Sequence, residues 1–306
     1  MSVRIAEKLK TEIVICDSMQ IYAGMSIGTA QPTEEERNRV KHCLVGSVDP
    51  CVPFSAADYA LLATNEAERI IGDGHIPVFC GGTGLYLESF LRGGFQDECS
   101  ADPEFRQRMT ELSLTKGPEA VYALLLQKDP EAAASIHPNN VKRVIRALEI
   151  IETSGEKKTD RDIRSREKDS DYDACVIGLG FHHRELLYQR INDRVEKMIS
   201  EGLLEEVSKL RNKGVFEANQ TAAQAIGYKE LFGYLDGKET LDEAKEKLMT
   251  ATRHYAKRQL TWFSAKPYVH WVYRDMPDGT MKEADDVLFE AISVIKTHFK
   301  NIFWAD

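Results

Sequence analysis

Long hydrophobic runs are missing from this chain of 306 residues. No apolar stretch approaches the ~18 residues that a membrane-spanning helix needs. The first residues carry charges at Arg4, Glu7 and Lys8, whereas a signal peptide needs an apolar segment and a small-residue cleavage pattern. We therefore expect a cytoplasmic protein without a membrane partner, and nothing in the sequence predicts more than a monomer.

Cysteine is sparse and shows no metal-binding pattern. The six cysteines are Cys16, Cys43, Cys51, Cys80, Cys99 and Cys175. No two of them form a C-x-x-C pair, which argues against a zinc site and against a disulfide framework. We expect reduced and mostly buried thiols.

Positive charge is in short supply, since 49 acidic residues outnumber 40 Lys and Arg and leave a net charge of −9. Phosphate attraction depends on local clusters, so the net charge argues against nucleic-acid binding without excluding it. Basic residues cluster at helical spacing in three places: Lys142, Arg143 and Arg146; Arg190 and Arg194; and Arg253, Lys257 and Arg258 with Trp262. Each cluster alone is explained by a solvated helix surface, but the three together favour contact with phosphate or RNA.

The first third of the chain alternates strand and helix signals. Residues 12–16 and 76–80 are short apolar runs that predict buried strands, and residues 56–71 between them repeat apolar side chains at helical spacing. This order predicts a parallel sheet in an α/β fold. Residues 174–179 predict a strand that returns to the sheet, and residues 268–272 predict a last strand in a largely helical remainder.

Strand signals disappear between residues 102 and 168, where we predict a helical insertion. Asp102 and Asp129 each precede a proline, which is typical of a helix start with an Asp cap. A strongly amphipathic helix follows Asn140. We expect the charged and polar stretch 156–173 to be a mobile connection.

Two features lie where ligands bind in open α/β sheets, beyond the carboxyl ends of strands. Asp17 follows the first strand, where its carboxylate is either a general base or the cap of a turn. The turn Gly81-Gly82-Thr83-Gly84 follows the second strand, where it either approaches a phosphate or serves close packing. The sequence alone leaves both alternatives open.

Other glycine motifs are weaker. The chain contains no G-x-x-x-x-G-K-[ST] loop, and its nearest approach, from Gly233 to Glu239, has the wrong spacing and lies between helices. Gly178 and Gly180 lack a third glycine, and His182-His183 follow them. We expect the two histidines to lie in a solvated turn.

Seven segments stand in collinear order along nearly the whole chain. They are residues 17–22 (Asp-Ser-Met-Gln-Ile-Tyr), 28–32 (Gly-Thr-Ala-Gln-Pro), 54–59 (Phe-Ser-Ala-Ala-Asp-Tyr), 81–86 (Gly-Gly-Thr-Gly-Leu-Tyr), 137–149 (beginning His-Pro-Asn-Asn), 225–228 (Ala-Ile-Gly-Tyr) and 252–262 (beginning Thr-Arg and ending Lys-Arg-Gln-Leu-Thr-Trp). Together they resemble the successive motifs of the tRNA dimethylallyltransferases. The resemblance implies a parallel-sheet core similar to that of P-loop kinases, formed by residues 1–95 and 174–306. Residues 96–173 would be an inserted, all-helical, tRNA-binding domain.

The resemblance also implies a reaction. A dimethylallyl group would pass from dimethylallyl diphosphate to the exocyclic amine of the adenosine 3′ of a tRNA anticodon, with Mg²⁺ as cofactor but no protein metal ligand assigned. Asp17 would be the general base on the amine, and Thr83 would bind the bridging oxygen of the diphosphate. Arg194 would neutralise the developing charge, and Arg253 would also bind the diphosphate.

A larger set matches the tRNA-contacting segments of that family. Its members are Asp17, Ser18, Met19, Gln20, Thr83, Arg106, Lys142, Arg143, Val144, Ile145, Arg146, Gln224, Gly227, Tyr228, Lys229, Lys257, Arg258, Gln259 and Trp262.

The chain also departs from the family pattern. Family members begin with a strand and a P-loop, whereas residues 2–9 here resemble the helix that follows such a loop. We expect that about twenty residues are absent and that the chain as written is weak or inactive. Gln31 replaces the more usual Lys and Asn140 a frequent Asp, and the zinc finger of some eukaryotic relatives is missing, which fits a bacterial-type enzyme.

Two other functions remain open at this point. One is an isopentenyltransferase that acts on free adenine nucleotide, against which the basic insertion argues. The other is a catalytically inactive tRNA-binding homologue, which would bind tRNA in a salt-dependent way without turnover.

Overall fold

The computed structural model describes residues 1–93, 102–167 and 170–300. The chain divides into two compact units. One, the core unit, comprises Met1–Phe90 and Asp173–Asp306, and the other, the helical unit, comprises Leu91–Tyr172. Within the described residues, no helix is both long enough and apolar enough to cross a membrane.

Helices make up most of the described chain. They are α1 (Ser2–Leu9), α2 (Glu34–Arg39), α3 (Ala56–Gly72), α4 (Gly84–Leu91), α5 (Pro103–Lys116), α6 (Pro118–Lys128), α7 (Pro130–Ser135), α8 (Val141–Ser154), α9 (Lys158–Glu167), α10 (Arg184–Ser200), α11 (Leu203–Asn212), α12 (Val215–Ala218), α13 (Phe232–Leu235), α14 (Leu241–Ser264) and α15 (Ala284–His298).

Three short strands form a parallel sheet in the core unit. They are β1 (Ile13–Ile15), β2 (His42–Cys43) and β3 (Val78–Cys80), in the order β2-β1-β3. The prediction of a parallel α/β arrangement is confirmed. Because β3 lies at the edge of this sheet, it is only partly buried, and the expectation of a fully buried second strand is wrong.

The sheet is covered on both faces because successive strand residues point in opposite directions. Ile13 and Ile15 pack with Val3 and Ala6 of α1. Val14, between them, packs on the other face with Ile70 of α3. The apolar run of β1 is therefore buried on both sides, as parallel strands usually are.

A second parallel sheet pairs β4 (Val176–Gly180) with β5 (Val269–Tyr273). The two strands run in register over five residue pairs, from Val176 with Val269 to Gly180 with Tyr273. The expectation that residues 174–179 return to the first sheet is therefore wrong within the described residues. The backbone groups of β4 find their partner in β5 instead.

The helical unit starts its helices as the sequence predicts. Asp102 caps α5 by accepting from the N–H of Phe105, and Asn140 caps α8. Asp129 caps α7 by accepting from the N–H of Ala132. Its core is an apolar cluster that includes Phe105, Val121, Leu125, Val144, Ile145 and Leu148.

The expectation of a mobile connection over residues 156–173 is wrong, because α9 occupies most of it. The buried Asp129 accepts hydrogen bonds from the backbone N–H of Thr159 at 2.9 Å and from its hydroxyl at 2.7 Å. Lys158 and Asp162, one turn apart, form an ion pair. A polar helix is thus fixed by one buried carboxylate and by pairing along its own surface.

The two histidines lie in a tethered turn and not in a merely solvated one. The backbone N–H groups of His182 and His183 donate to the fully buried Asp275 at 2.8 and 3.0 Å. Burial would raise the pKa of Asp275, but the hydrogen bonds from both histidines hold it at about 2. The His182 ring stacks on Tyr273, with 3.9 Å between centroids.

The described cysteines are free thiols, but fewer of them are buried than expected. Cys16 and Cys43 are buried, whereas Cys51, Cys80 and Cys175 are only partly buried. Cys99 lies outside the described residues.

Candidate active site

The residues that follow β1 and β3 meet at one edge of the first sheet. Ile15 pairs with Cys80 in the parallel register, so both strands end at the same level. The backbone N–H of Thr83 donates to the carbonyl of Cys16 at 3.3 Å. Asp17 and Thr83, which the sequence placed after separate strands, are thereby brought together.

Asp17 uses one carboxylate oxygen to hold its own turn. Oδ1 accepts the backbone N–H of Met19 at 2.8 Å and that of Gln20 at 3.2 Å. No described residue donates to Oδ2. Burial raises the pKa of Asp17, while the two N–H groups and the positive charge of Arg194 oppose the rise. Asp17 can therefore hold its turn through Oδ1 and still offer Oδ2 as a base.

Thr83 presents its hydroxyl beside this turn. Its Oγ1 accepts the backbone N–H of Ser18 at 3.0 Å and donates to the hydroxyl of Ser18 at 3.3 Å. Two hydroxyls thus lie next to the Asp17 carboxylate, where they can hydrogen-bond an anionic oxygen.

The glycines of the turn before α4 are required by close packing. A Cβ added at Gly81 would lie 2.0 Å from the backbone oxygen of Cys16. One at Gly84 would lie 2.5 Å from the Trp262 ring, and one at Gly82 would lie 2.0 Å from the Gln259 side chain. Packing against β1 and α14 therefore explains these glycines without a phosphate.

One face of α14 completes the site. The Gln259 amide donates to the carbonyl of Gly82 at 3.1 Å. The Tyr255 hydroxyl lies beside Thr83 and Gln259, and burial, followed by the charge of Asp17, raises the pKa of Tyr255. Tyr255 therefore stays protonated as a donor at neutral pH. Sequence reasoning missed it, although it lies one turn before Gln259 and faces the same way.

Arg194 adds a positive charge from α10. The protein around Arg194 lowers the pKa of its guanidinium, and the charge of Asp17 opposes that shift. The two groups influence each other without a direct ion pair among the described contacts, and Arg194 remains exposed. A carboxylate, two hydroxyls and a guanidinium therefore face one region, which suits proton removal beside an anionic leaving group.

Comparison with known proteins gives one consistent family. Residues 20–266 match the family model described as IPP transferase. A tRNA dimethylallyltransferase from Bacillus velezensis is 45% identical over 294 residues, which cover 96% of this chain and 92% of that protein. The chain belongs to the IPP transferase family.

Solved structures agree with this assignment. A tRNA isopentenylpyrophosphate transferase from Bacillus halodurans matches with a TM-score of 0.70 and 40% identity, over 98% of this chain and 91% of that one. A eukaryotic dimethylallyltransferase acting on tRNA matches with a TM-score of 0.79 and 26% identity, over 100% of this chain and 77% of that one.

The remaining core-unit residues that resemble IPP transferase motifs fall into two groups. Gln224, Lys229, Lys257 and Arg258 have exposed side chains. Lys257 lines a cleft of about 240 Å³, together with Arg184 and Tyr188 among others.

The other group is already engaged within the protein. The Tyr228 side chain is fully buried, and Gly227 is buried beside it. The sequence did not predict this burial. Arg253, expected to bind diphosphate, pairs with Glu246 along its own helix and donates to the Thr250 hydroxyl at 3.1 Å.

The helical unit shows the same division. Lys142 and Arg143 are exposed, whereas Val144 and Ile145 belong to the apolar core. Those two side chains therefore serve the core of the helical unit, and their contact with tRNA stays a prediction.

Arg106 and Arg146 both bind the buried carboxylate of Glu149. Arg106 approaches it at 2.7 and 2.8 Å, and Arg146 at 2.7 Å. The backbone N–H of Asp102 also donates to it at 2.8 Å. Glu149 holds the two arginines side by side, a role that the sequence did not reveal.

A protein-built metal centre is not evident among the described residues. The one group of potential ligands there is Glu12, Cys43 and Glu66. The Glu12 carboxylate already binds Arg69 at 2.5 Å and Lys41 at 3.0 Å, and the Arg69 hydrogen bond lowers the pKa of Glu12 to about 2. Because Arg69 and Lys41 already neutralise this carboxylate, the cluster is a poor site for a metal ion.

Proposed function

We propose that this chain transfers a dimethylallyl group from dimethylallyl diphosphate to the exocyclic amine of the adenosine 3′ of a tRNA anticodon. The observation that carries the proposal is the meeting of Asp17, Thr83 and Arg194 at one sheet edge. The relatives' names, tRNA dimethylallyltransferase and tRNA isopentenylpyrophosphate transferase, support the substrate classes.

Asp17 is the base in this reaction. The amine nitrogen forms a bond to the first carbon of the dimethylallyl group, the carbon–oxygen bond to diphosphate breaks, and the amine proton passes to the Asp17 carboxylate. An aromatic amine is a poor nucleophile unless its proton has an acceptor, and Oδ2 of Asp17 is left over from the turn for that purpose. The adenine must leave its stack to reach this carboxylate.

Thr83 and Arg194 act on the leaving group. The Thr83 hydroxyl hydrogen-bonds an oxygen of the diphosphate, and the Arg194 guanidinium neutralises the charge that develops as the bond breaks. Arg194 is suited to this because no ion pair with Asp17 occupies it. The Tyr255 hydroxyl, held beside Thr83, is a further donor in this region.

A magnesium ion would come to this site with the donor, because Mg²⁺ is bound largely through water and substrate phosphates. The hydroxyls of Ser18 and Thr83 would help to hold it, which leaves Oδ2 of Asp17 free as the base. The ion would supply charge neutralisation of the diphosphate.

Exposed basic residues supply the RNA contacts in this proposal. Lys142 and Arg143 of the helical unit and Lys257 and Arg258 of α14 present their side chains to solvent. Contacts of this kind to phosphates give affinity that falls as salt rises.

The test offers two acceptors to the chain, an anticodon stem-loop with consecutive adenosines and free AMP, with dimethylallyl diphosphate as donor. We expect modified stem-loop and no modified AMP. Asp17→Asn should lower the single-turnover rate at least about 100-fold with little change in stem-loop affinity. Asp286→Asn, an exposed position on α15, is the matched control and should leave the rate unchanged. Prenylation of AMP alone would overturn the proposal.

A further inference from the structure

The segment that follows β1 folds back on itself between Asp17 and Gln31. The side-chain amide of Gln20 donates to the carbonyls of Thr29 at 3.1 Å and Ala30 at 3.2 Å. The side-chain amide of Gln31 in turn donates to the backbone carbonyl of Gln20 at 2.8 Å. The far end of this segment, the Asp17–Gln31 loop, is therefore tied to the turn that carries Asp17.

One carboxylate from another element holds the tip of this loop. Oε2 of Glu206, on α11, accepts the backbone N–H groups of Ser26 and Ile27, each at 2.9 Å. Oε1 accepts the backbone N–H of Gly28, also at 2.9 Å. Three successive N–H groups directed at one carboxylate form an anion-binding turn whose anion is part of the protein.

The same carboxylate binds a second segment. The hydroxyl of the fully buried Tyr228 donates to Oε1 of Glu206 at 2.8 Å. A Cβ at Gly28 would lie 2.6 Å from the Tyr228 ring, so the loop and the ring are in direct contact. Burial, followed by the charge of Glu206, raises the pKa of Tyr228, so the hydroxyl keeps its proton and remains a donor.

We propose that Glu206 is a positioning residue that locks the Asp17–Gln31 loop to the segment around Gly227 and Tyr228, and so fixes Asp17 and Gln20 for the reaction. The inference rests on the proposed function. Glu206 lies outside the seven segments that resemble family motifs, yet it joins two of them through its hydrogen bonds to Gly28 and Tyr228, and two further bonds hold Ser26 and Ile27. Its effect on catalysis passes through the loop and not through contact with a substrate.

Glutamine at position 206 separates this role from simple packing. The amide has nearly the same shape, but only one of its two terminal atoms accepts hydrogen bonds. The other carries N–H donors and would face the N–H groups of Ser26 and Ile27 or that of Gly28. The Glu206→Gln variant therefore keeps its packing volume while the loop tip loses its anchor.

The experiment compares Glu206→Gln with Glu205→Gln, an exposed neighbour on the same helix with no hydrogen bond to the loop among the described contacts. Two quantities are measured on the full chain: amide hydrogen exchange across residues 17–31, and kcat and KM for transfer to the anticodon stem-loop. In Glu206→Gln we expect exchange across residues 17–31 to accelerate at least about tenfold. We also expect kcat to fall about 10- to 100-fold, because a displacement of about 1 Å at a reacting group can lower the rate about 100-fold. KM should change less than kcat, and Glu205→Gln should match the wild type.

Tyr228→Phe is the second variant, in case Glu206→Gln does not fold. It removes one of the four hydrogen bonds but leaves the three backbone bonds of the loop. We expect a smaller fall in kcat and faster exchange confined to the loop and residues 224–229. Exchange across residues 17–31 that stays at the wild-type rate in both variants would overturn the inference, as would faster exchange with unchanged kcat. A wild-type chain that transfers nothing contradicts the proposed function, while faster exchange in the variants still supports the link through Glu206, because exchange needs no substrate.

Discussion

Asp17 and Arg194 are neighbours whose charges act on each other across a gap. Burial raises the pKa of Asp17, and Arg194 is one of the groups that hold it down. A direct ion pair would occupy both groups, whereas their separation leaves each of them able to contact a substrate. The pKa of the proposed base thus depends in part on the residue that we propose receives the leaving group.

The pH dependence of transfer follows from this arrangement. Asp17 acts as a carboxylate, so the rate rises with pH through the pKa of Asp17. That limb should lie above the usual range of an aspartate because burial raises this pKa. In Arg194→Gln the opposing charge is gone, so the limb should move to still higher pH, and kcat should fall about 100- to 1,000-fold.

The measurement is the pH profile of kcat. Lys197→Gln, which removes an exposed cation near the end of α10, serves as the matched control and should keep the wild-type profile. An acid limb that stays in place in Arg194→Gln would show that the two charges are not coupled.

At the scale of elements, the turn between β3 and α4 shows how backbone packing sets the site. Gly81 lies against the backbone of Cys16, which cannot move without shifting β1 and Asp17 with it. Gly81→Ala should therefore lower the free energy of unfolding by about 1–3 kcal/mol, through overpacking, and should also slow transfer. Urea denaturation and the transfer rate check this.

Gly72 provides the contrast. A Cβ there would meet nothing within 4 Å, and the residue ends α3. Gly72→Ala should keep or raise stability, by up to about 0.5–1 kcal/mol, because alanine loses less backbone entropy in a helix. Equal destabilisation by both substitutions would mean that packing on Cys16 does not explain Gly81.

The helical unit depends on a buried carboxylate between two arginines. Burial acts to raise the pKa of Glu149, but the hydrogen bonds from Arg106 and Arg146 and the N–H of Asp102 outweigh it, and the pKa is lowered. A carboxyl whose pKa is lowered in the folded state stabilises the fold at pH values above its unfolded-state pKa. That stabilisation is lost as the pH falls through the folded-state pKa.

Glu149→Gln should therefore lower the free energy of unfolding by about 1–3 kcal/mol at neutral pH. The difference from the wild type should shrink as the pH falls below about 4. Hydrogen exchange in α8 as a function of denaturant measures this unit selectively. Glu152→Gln, which removes a half-exposed partner of Lys128, should change stability by less than about 1 kcal/mol. A difference that grows on acidification would contradict the account.

The elements that sequence reasoning found are those with local signals. Helix α8 has an Asn cap and an apolar stripe, and β1 is an apolar run that ends at Asp17. Helix α9 was missed because no apolar stripe marks it, and its anchor, Asp129, lies about 30 residues earlier in the chain. Pairing of β4 with β5 was missed for a similar reason, since strand partners far apart in sequence leave no local trace.

For the molecule as a whole, collinear motifs carried more information than any single residue. They predicted the family, and they assigned Asp17 and Thr83 to one reaction, which fits the neighbouring positions that the pairing of β1 with β3 gives them. They could not separate exposed residues such as Lys142 from buried ones such as Tyr228, because a motif records position and not burial. Glu206 lies outside every recognised motif, whereas Tyr255 lies within one but was given no role. Only the fold shows which groups these two side chains contact.

The central claim is transfer, and the most direct measurement follows a labelled dimethylallyl group from its diphosphate into an anticodon stem-loop. It compares the chain with its Asp17→Asn variant and measures stem-loop binding by both forms over a range of salt concentrations. The account predicts labelled stem-loop with the wild-type chain and loss of label with Asp17→Asn, while both forms bind the stem-loop. Stem-loop that binds in a salt-dependent way but gains no label from either form would contradict it and leave a tRNA-binding protein without catalysis.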